Sequence, residues 1–271
     1  MSHLTSGHRR FLATGKAPLR LGVPGFAHPL VAPAEWGRLQ RAGLPLDWVV
    51  LGGAGGGPGS RPDPYWRAAA APLREAGVRL LGHLDLAAGT RPLGELLSDA
   101  QRFLNWYKVD GFALGRCPAD AAGLRETRRA AGALRTLRDG THLVLLHGTH
   151  PCPGYASLAD QLVTFAGPWS AYRWSQVAEW TADHPPERFC HLVYAVPRPH
   201  LDEAMRIARW QGAGTVFFTD RTNHASRTGR ARRVSRTGRA APLTFVRVDP
   251  WESLPGYWDD FVSRIGPGVS E

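Results

Sequence analysis

Eight apolar runs of strand length punctuate this chain, at residues 19–27, 46–53, 78–85, 111–117, 142–148, 161–167, 189–196 and 215–220. Each is followed by a segment of helical period or by a long loop, and that alternation is the strongest constraint on the fold. The runs at 48–51 and 143–146 are continuous in Trp, Val and Leu, the pattern of parallel strands covered on both faces. Residues 64–76, 92–108, 119–138, 170–182 and 200–211 read as amphipathic helices, and Gly77, Gly140 and Gly212 stand where a helix should stop. Eight β-then-α repeats over 19–265 predict an α/β protein, a single-domain (β/α)8 TIM barrel. An open sheet with fewer true strands is the alternative. A basic arm (1–18) precedes the barrel and a short tail (266–271) follows it.

Composition narrows the function classes. The formal charge is +10, yet residues 221–240 hold seven arginines and no acid, and the rest of the chain carries only +3. Basicity is therefore local, and pI alone does not argue for nucleic acid. Within that stretch Ser-Arg-Thr-Gly-Arg-Ala occurs at 226–231 and again at 235–240. So polar a segment cannot bury a core, and 226–240 is expected to be a disordered Arg-rich insertion between the eighth strand and the last helix. Contact with nucleic acid or another polyanion is expected, if at all, through this loop. Three cysteines, Cys117, Cys152 and Cys190, make no disulfide framework and fit a reducing compartment. With no bilayer-length apolar run and no signal-peptide pattern, the expectation is a cytoplasmic protein without a membrane partner. A start site placed too late would hide a signal peptide and turn that expectation to secretion.

A barrel binds its ligands at the carboxyl ends of its strands. Those positions here are Phe26 and His28, Gly52 and Gly53, His83 and Asp85, Gly115 to Cys117, His147, Phe165 and Ala166, Tyr194, and Thr219 and Asp220. Several strings around them are distinctive in their order. They include Leu-Gly-Val-Pro at 21–24, Gly-Thr-Arg-Pro at 89–92, Trp-Tyr-Lys-Val-Asp-Gly at 106–111, Leu-Val-Thr-Phe-Ala-Gly at 162–167 and Trp-Glu-Ser-Leu-Pro-Gly-Tyr-Trp at 251–258. Taken together the chain resembles the spherulin 4, or spherulation-specific, family. The resemblance implies a barrel related to glycoside hydrolases, some of whose members cut α-1,4-linked galactosamine-containing polysaccharide.

The departures from that family bear directly on catalysis. The resemblance implies an Asp-Glu pair where this chain has Gly115 and Arg116, and a Glu where it has Ala166. It also implies Asn at Gly52 and His147, Tyr at His83 and an aromatic at Ala88. Glycoside hydrolysis needs two carboxyl groups flanking the bond. With all three acids replaced, the expectation is a non-catalytic protein that binds a carbohydrate or other anionic small ligand. Arg116 is the key residue, because a guanidinium at the mouth offers a planar fork for carboxylate, sulfate or phosphate. Its alternative is an ion pair with Asp85 or Asp220.

Two further readings stay open. An active α-1,4-galactosaminidase-like hydrolase would use Asp85 and Asp220 across the mouth, unless each merely accepts loop N–H groups or pairs with an arginine such as Arg91. A polyanion-binding protein would work through the Arg loop. His83, His147, Arg91, Trp169, Trp174 and Tyr194 complete the candidate ligand residues, whereas Trp106, Trp180 and Trp210 read as facing the sheet. His83, Cys117, His147 and Cys152 lie on neighbouring strands but match no compact zinc motif, so no metal is assigned. No cofactor is expected either, since the glycine-rich run 52–59 lacks the Lys-Ser/Thr of a P-loop. Oligomeric state is not encoded in any motif.

Overall fold

The computed structural model describes residues 18–265 except 26, 53–56, 224, 227–245 and 248. The expectations for 1–17, for the duplicated stretch after Ser226 and for 266–271 lie outside the described residues.

Eight parallel strands close into a barrel in sequence order: β1 (Arg20–Val23), β2 (Leu46–Leu51), β3 (Arg79–Asp85), β4 (Gly111–Gly115), β5 (His142–Leu146), β6 (Gln161–Pro168), β7 (Phe189–Tyr194) and β8 (Thr215–Phe218). The barrel closes through the pairing of Arg20 and Leu21 in β1 with Thr215 and Val216 in β8. Outer helices are α1 (Pro33–Leu39), α2 (Pro64–Glu75), α3 (Leu93–Tyr107), α4 (Leu124–Arg135), α5 (Trp169–Tyr172), α6 (Leu201–Trp210) and α7 (Trp258–Ile265). An antiparallel ribbon, β9 (Ala225–Ser226) with β10 (Val246–Arg247), pairs the two ends of the Arg-rich stretch.

Local chemistry explains the helix bounds. Asp63 caps α2 by accepting the N–H groups of Tyr65 and Trp66, and Pro64 takes the first helical position. Helix α4 begins only at Leu124, because Asp120 accepts the Gly123 N–H and holds the preceding residues in a turn. The predicted helix over 170–182 is largely absent. Only Trp169–Tyr172 is helical, followed by a 3₁₀ turn at Glu179–Asp183. The Ser175 hydroxyl donates to the Tyr172 carbonyl and the Thr181 hydroxyl to the Ala178 carbonyl, satisfying acceptors a continuing helix would use. No α-helix follows β5 either, where a 3₁₀ turn at Pro153–Ser157 makes the return.

The floor of the barrel is a closed polar network wrapped in apolar side chains. Trp48 is fully buried, and its Nε1 donates to Gln161 Oε1 at 2.6 Å. Gln161 Nε2 donates to Thr215 Oγ1 at 2.9 Å, and Thr215 donates to Asp47 Oδ2 at 3.0 Å. Trp48, Gln161 and Thr215 come from β2, β6 and β8, alternate strands that share an interior layer in such barrels. The indole also requires Gly22 beside it, since a Cβ there would lie 2.3 Å from Trp48 Cζ2. Burying a Trp contributes roughly 4–6 kcal/mol of transfer free energy.

Candidate functional site

At the opposite end the strands stop around a cavity of about 330 Å³, within the range of small-ligand pockets. Every strand end or the segment after it contributes to the wall, from Pro24 and Gly25 round to Leu192, with Asp249, Trp251 and Glu252 following β8. Of the predicted ligand residues, His83, Arg116 and His147 line this cavity, as does Ala166. Asp85, Arg91, Trp169, Tyr194 and Asp220 are absent from the wall.

Ala166 reaches the cavity through a bulge. In a regular strand Val163 and Ala166 would face opposite sides. The β6 register shifts between Val163 and Phe165, and both residues line the cavity. Gly115 is glycine for a steric reason, because a Cβ there would lie 2.4 Å from His83 Nε2. The His83 imidazole occupies the space a side chain at 115 would enter, so the residues at 83 and 115 are coupled. Burial lowers the His83 pKa, against the opposing charges of Asp85 and Asp249.

Arg116 is only half the anion receptor expected of it. Its Nε donates to both Asp85 oxygens, at 2.8 and 2.9 Å, and its Nη2 completes the fork on Oδ2. Asp85 Oδ1 also accepts the Ala87 N–H at 2.7 Å. Although burial opposes it, these hydrogen bonds and the guanidinium charge hold the Asp85 carboxyl below the usual carboxylate range. The ion pair is the alternative raised for Arg116, and it takes Asp85 out of contention as a free acid. Arg91 pairs with Asp99 and reaches only the Asp85 carbonyl, at 3.4 Å.

The backbone around this pair is strained. Ala87, Ala88 and Arg116 all adopt left-handed φ, at 49°, 55° and 47°. For non-glycine residues that conformation costs about 1–2 kcal/mol each, and such positions concentrate at functional sites. Cross-strand hydrogen bonds hold them, from the Leu86 N–H to the Gly115 carbonyl and from the Ala88 N–H to the Arg116 carbonyl.

Asp220, like Asp85, is absent from the cavity wall. Its Oδ1 accepts the Gly256 N–H at 3.0 Å and lies 4.0 Å from Arg221 Nε. The hydrolytic pair Asp85 with Asp220 is thus not assembled: one carboxylate is bound by Arg116 and the other anchors a loop. That loop matters, because it delivers residues the sequence reasoning missed. Glu35 Oε2 accepts the Leu254 N–H, the Glu252 carbonyl accepts the Ala27 N–H, and Tyr257 Oη donates to the Val196 carbonyl. So pinned, the segment sets Asp249, Trp251 and Glu252 into the cavity wall, opposite β4 in an eight-stranded ring. Asp249 Oδ1 accepts the Trp251 N–H at 3.0 Å. Glu252 is half-buried, and desolvation with the nearby Asp249 charge raises its pKa. The signal was present in the sequence as two acids flanking Pro250 and Trp251 on the ligand face.

The aromatic assignments shift in the same way. Trp251 lines the cavity, braced edge-on by Tyr194 at 5.8 Å and Phe217 at 6.1 Å. Tyr194 therefore supports the wall without forming it. Trp169 is buried against Tyr172 and His200, and Trp174 is exposed with Arg173 over its ring. Trp210, expected to face the sheet, is 75% exposed.

His147 is the least satisfied polar group at the mouth. Its residue is 1% exposed, its ring packs edge-on to Tyr155 at 4.8 Å, and neither ring nitrogen has a hydrogen-bond partner among the described residues. Burial pushes its pKa down to about 4, against hydrogen bonds to the Pro118 and Cys117 backbone that are too poorly aligned to satisfy the ring nitrogens. Buried polar groups are normally paired, and an unpaired one in a cavity wall points to a ligand. Cys117 and Cys152 do not join His83 and His147 in this wall; Cys117 is buried beside Thr127, and burial pushes its thiol up to about 12.

Comparison with known proteins matches this architecture. Spherulin-4 from Physarum polycephalum is 24% identical over 157 residues, 56% of this chain and 46% of that protein, so the matched stretch spans under half of the relative. The crystal structure of Aspergillus clavatus Sph3 in complex with GalNAc superimposes with a TM-score of 0.72 at 21% identity, covering 92% of this chain and 98% of that one. The sequence profile of spherulation-specific family 4 matches residues 20–265, the whole barrel from its first strand to its last helix. On that match, the chain belongs to spherulation-specific family 4.

Proposed function

We propose that this protein is a glycan-binding member of its family that does not hydrolyse its ligand. A sugar ring stacks on Trp251 and takes hydrogen bonds from the cavity wall. The observation that carries the reading is the buried His147 imidazole in the cavity wall, a neutral group with no well-aligned partner at either ring nitrogen. The absence of an acidic side chain at Gly115, Arg116 and Ala166 supports the non-catalytic part.

Charge favours an uncharged sugar over the anionic ligand anticipated from Arg116. That guanidinium is matched by Asp85, and Asp249 and Glu252 add two carboxyl groups to the same wall. A uronate or sulfated glycan would meet them unfavourably. N-acetylgalactosamine, the ligand in the Sph3 complex, is the first neutral candidate.

The test is calorimetric titration with N-acetylgalactosamine, galactosamine and galacturonate, paired with an assay of reducing ends released from galactosamine-containing polysaccharide. Binding of the neutral sugar, at least tenfold weaker in Trp251→Ala, with no release, is the expected result (tenfold is about 1.4 kcal/mol). A preference for galacturonate overturns the charge argument, and release above background overturns the non-catalytic one.

A further inference from the structure

A second cavity, of about 450 Å³, opens on the outside of the barrel between the ends of α2, α3 and α4, and it shares no lining residue with the cavity at the mouth. Arg74 reaches it from the last turn of α2, Lys108 from the residue that ends α3, and Arg138 from the turn after α4. Both guanidinium groups are tied down by the main chain on either side of Lys108. Arg74 Nη2 donates to the Tyr107 carbonyl at 3.1 Å, and Arg138 Nη1 donates to the Val109 carbonyl at 2.6 Å. Three cations are thereby gathered around one turn, and the Lys108 amine has no hydrogen bond or ion pair among the described residues. We propose that this cavity is a binding site for a small polyanion carrying phosphoryl groups, separate from the sugar cavity.

The balance of charge points to an anion. Among the described residues the only carboxylate in the wall is Asp110, which lies 3.8 Å from Arg138 Nη2 and accepts the Leu80 N–H. Glu75 and Asp139, next to the two arginines in the chain, are absent from the wall. Three cations and one carboxylate leave a formal charge of +2. Even the three helix ends together, at roughly half a negative charge each, do not cancel it. A guanidinium held through one nitrogen keeps its other N–H groups for a second acceptor, and a fork of that kind beside an amine matches phosphoryl oxygens. Gln101 Nε2 donates to Asn105 Oδ1 at 3.1 Å, which leaves the Asn105 amide nitrogen as a neutral donor in the same wall. Lys108 itself has left-handed backbone, φ 55° and ψ 45°, at a helix end where glycine is the favoured residue. The position therefore holds an unpaired amine at a conformational cost that glycine would avoid.

Calorimetric titration of the full-length chain with inorganic diphosphate, at low and at high sodium chloride, tests it. Wild type should bind at low salt and more weakly as salt rises. Lys108→Gly removes the amine and suits the left-handed backbone, so it should melt at or above the wild-type temperature and bind diphosphate at least about tenfold more weakly. Lys108→Arg keeps the charge and should bind within about threefold of wild type. No binding of diphosphate at low salt overturns the proposal. Binding that Lys108→Gly leaves at full strength also overturns it, and places the anion on the Arg-rich stretch at 221–240. A loss in Lys108→Gly that Lys108→Arg does not restore overturns the charge argument on which the site rests.

Discussion

The two ends of this barrel obey opposite rules. At the floor, Trp48, Gln161, Thr215 and Asp47 satisfy one another across the interior, and Arg79 closes the set on Asp47. At the mouth, His147 is left without a partner, Ala87, Ala88 and Arg116 hold strained φ, and two carboxyl groups share one wall. The same strands supply both ends, so the difference is not one of general stability. At the floor the Trp48, Gln161, Thr215 and Asp47 side chains satisfy one another, whereas the side chains around the cavity leave polar groups facing open space.

That contrast predicts where substitutions cost folding and where they cost binding. The largest effect belongs to Trp48→Ala, which should lose about 3–5 kcal/mol in urea denaturation because it opens a cavity and strands Gln161. Sugar affinity of the folded fraction should be unchanged; an affinity loss would show that floor and mouth are coupled. The second effect is a pH dependence from the mouth. His147, near 4 when folded and about 6.5 when unfolded, contributes stability that is present above 6.5 and lost as pH falls towards 4. The full contribution is roughly 3 kcal/mol. In His147→Leu the slope of stability against pH over this window should be shallower, with stability at pH 7 equal to or above wild type and sugar binding lost. A destabilised His147→Leu at pH 7 would mean the imidazole is structural after all.

The smallest effect tests whether the mouth still accepts the acid its family pattern implies. Gly115→Asp should destabilise by about 1–3 kcal/mol, since the new side chain must displace the His83 ring. In a His83→Ala background the same change should cost measurably less, a coupling that a double-mutant cycle reads directly. Additive costs would separate the two positions.

Much of this was legible in the chain itself. Apolar runs and their turn residues marked all eight strands, because a strand buried on both faces is mostly apolar and its few polar residues, such as Asp47, Gln161 and Thr215, must find partners inside the barrel. Strand order then put His83, Arg116 and His147 at the mouth, and they line the cavity there. Less legible was the stretch at 170–182, where hydroxyl groups at Ser175 and Thr181 take up carbonyls that helical periodicity alone would assign to the backbone.

The sequence by itself determined the strand count and which residues stand at the strand ends, Gly115, Arg116 and Ala166 among them, because those follow from local pattern and position. Only the tertiary structure decided which carboxyl groups face the cavity. Asp220 stands at a strand end yet turns to the Gly256 N–H, whereas Asp249 and Glu252 lie far along the chain and are brought to the wall by bonds from Glu35, Ala27 and Val196. Such contacts join residues as far apart as Ala27 and Glu252, and no local preference of the chain specifies them.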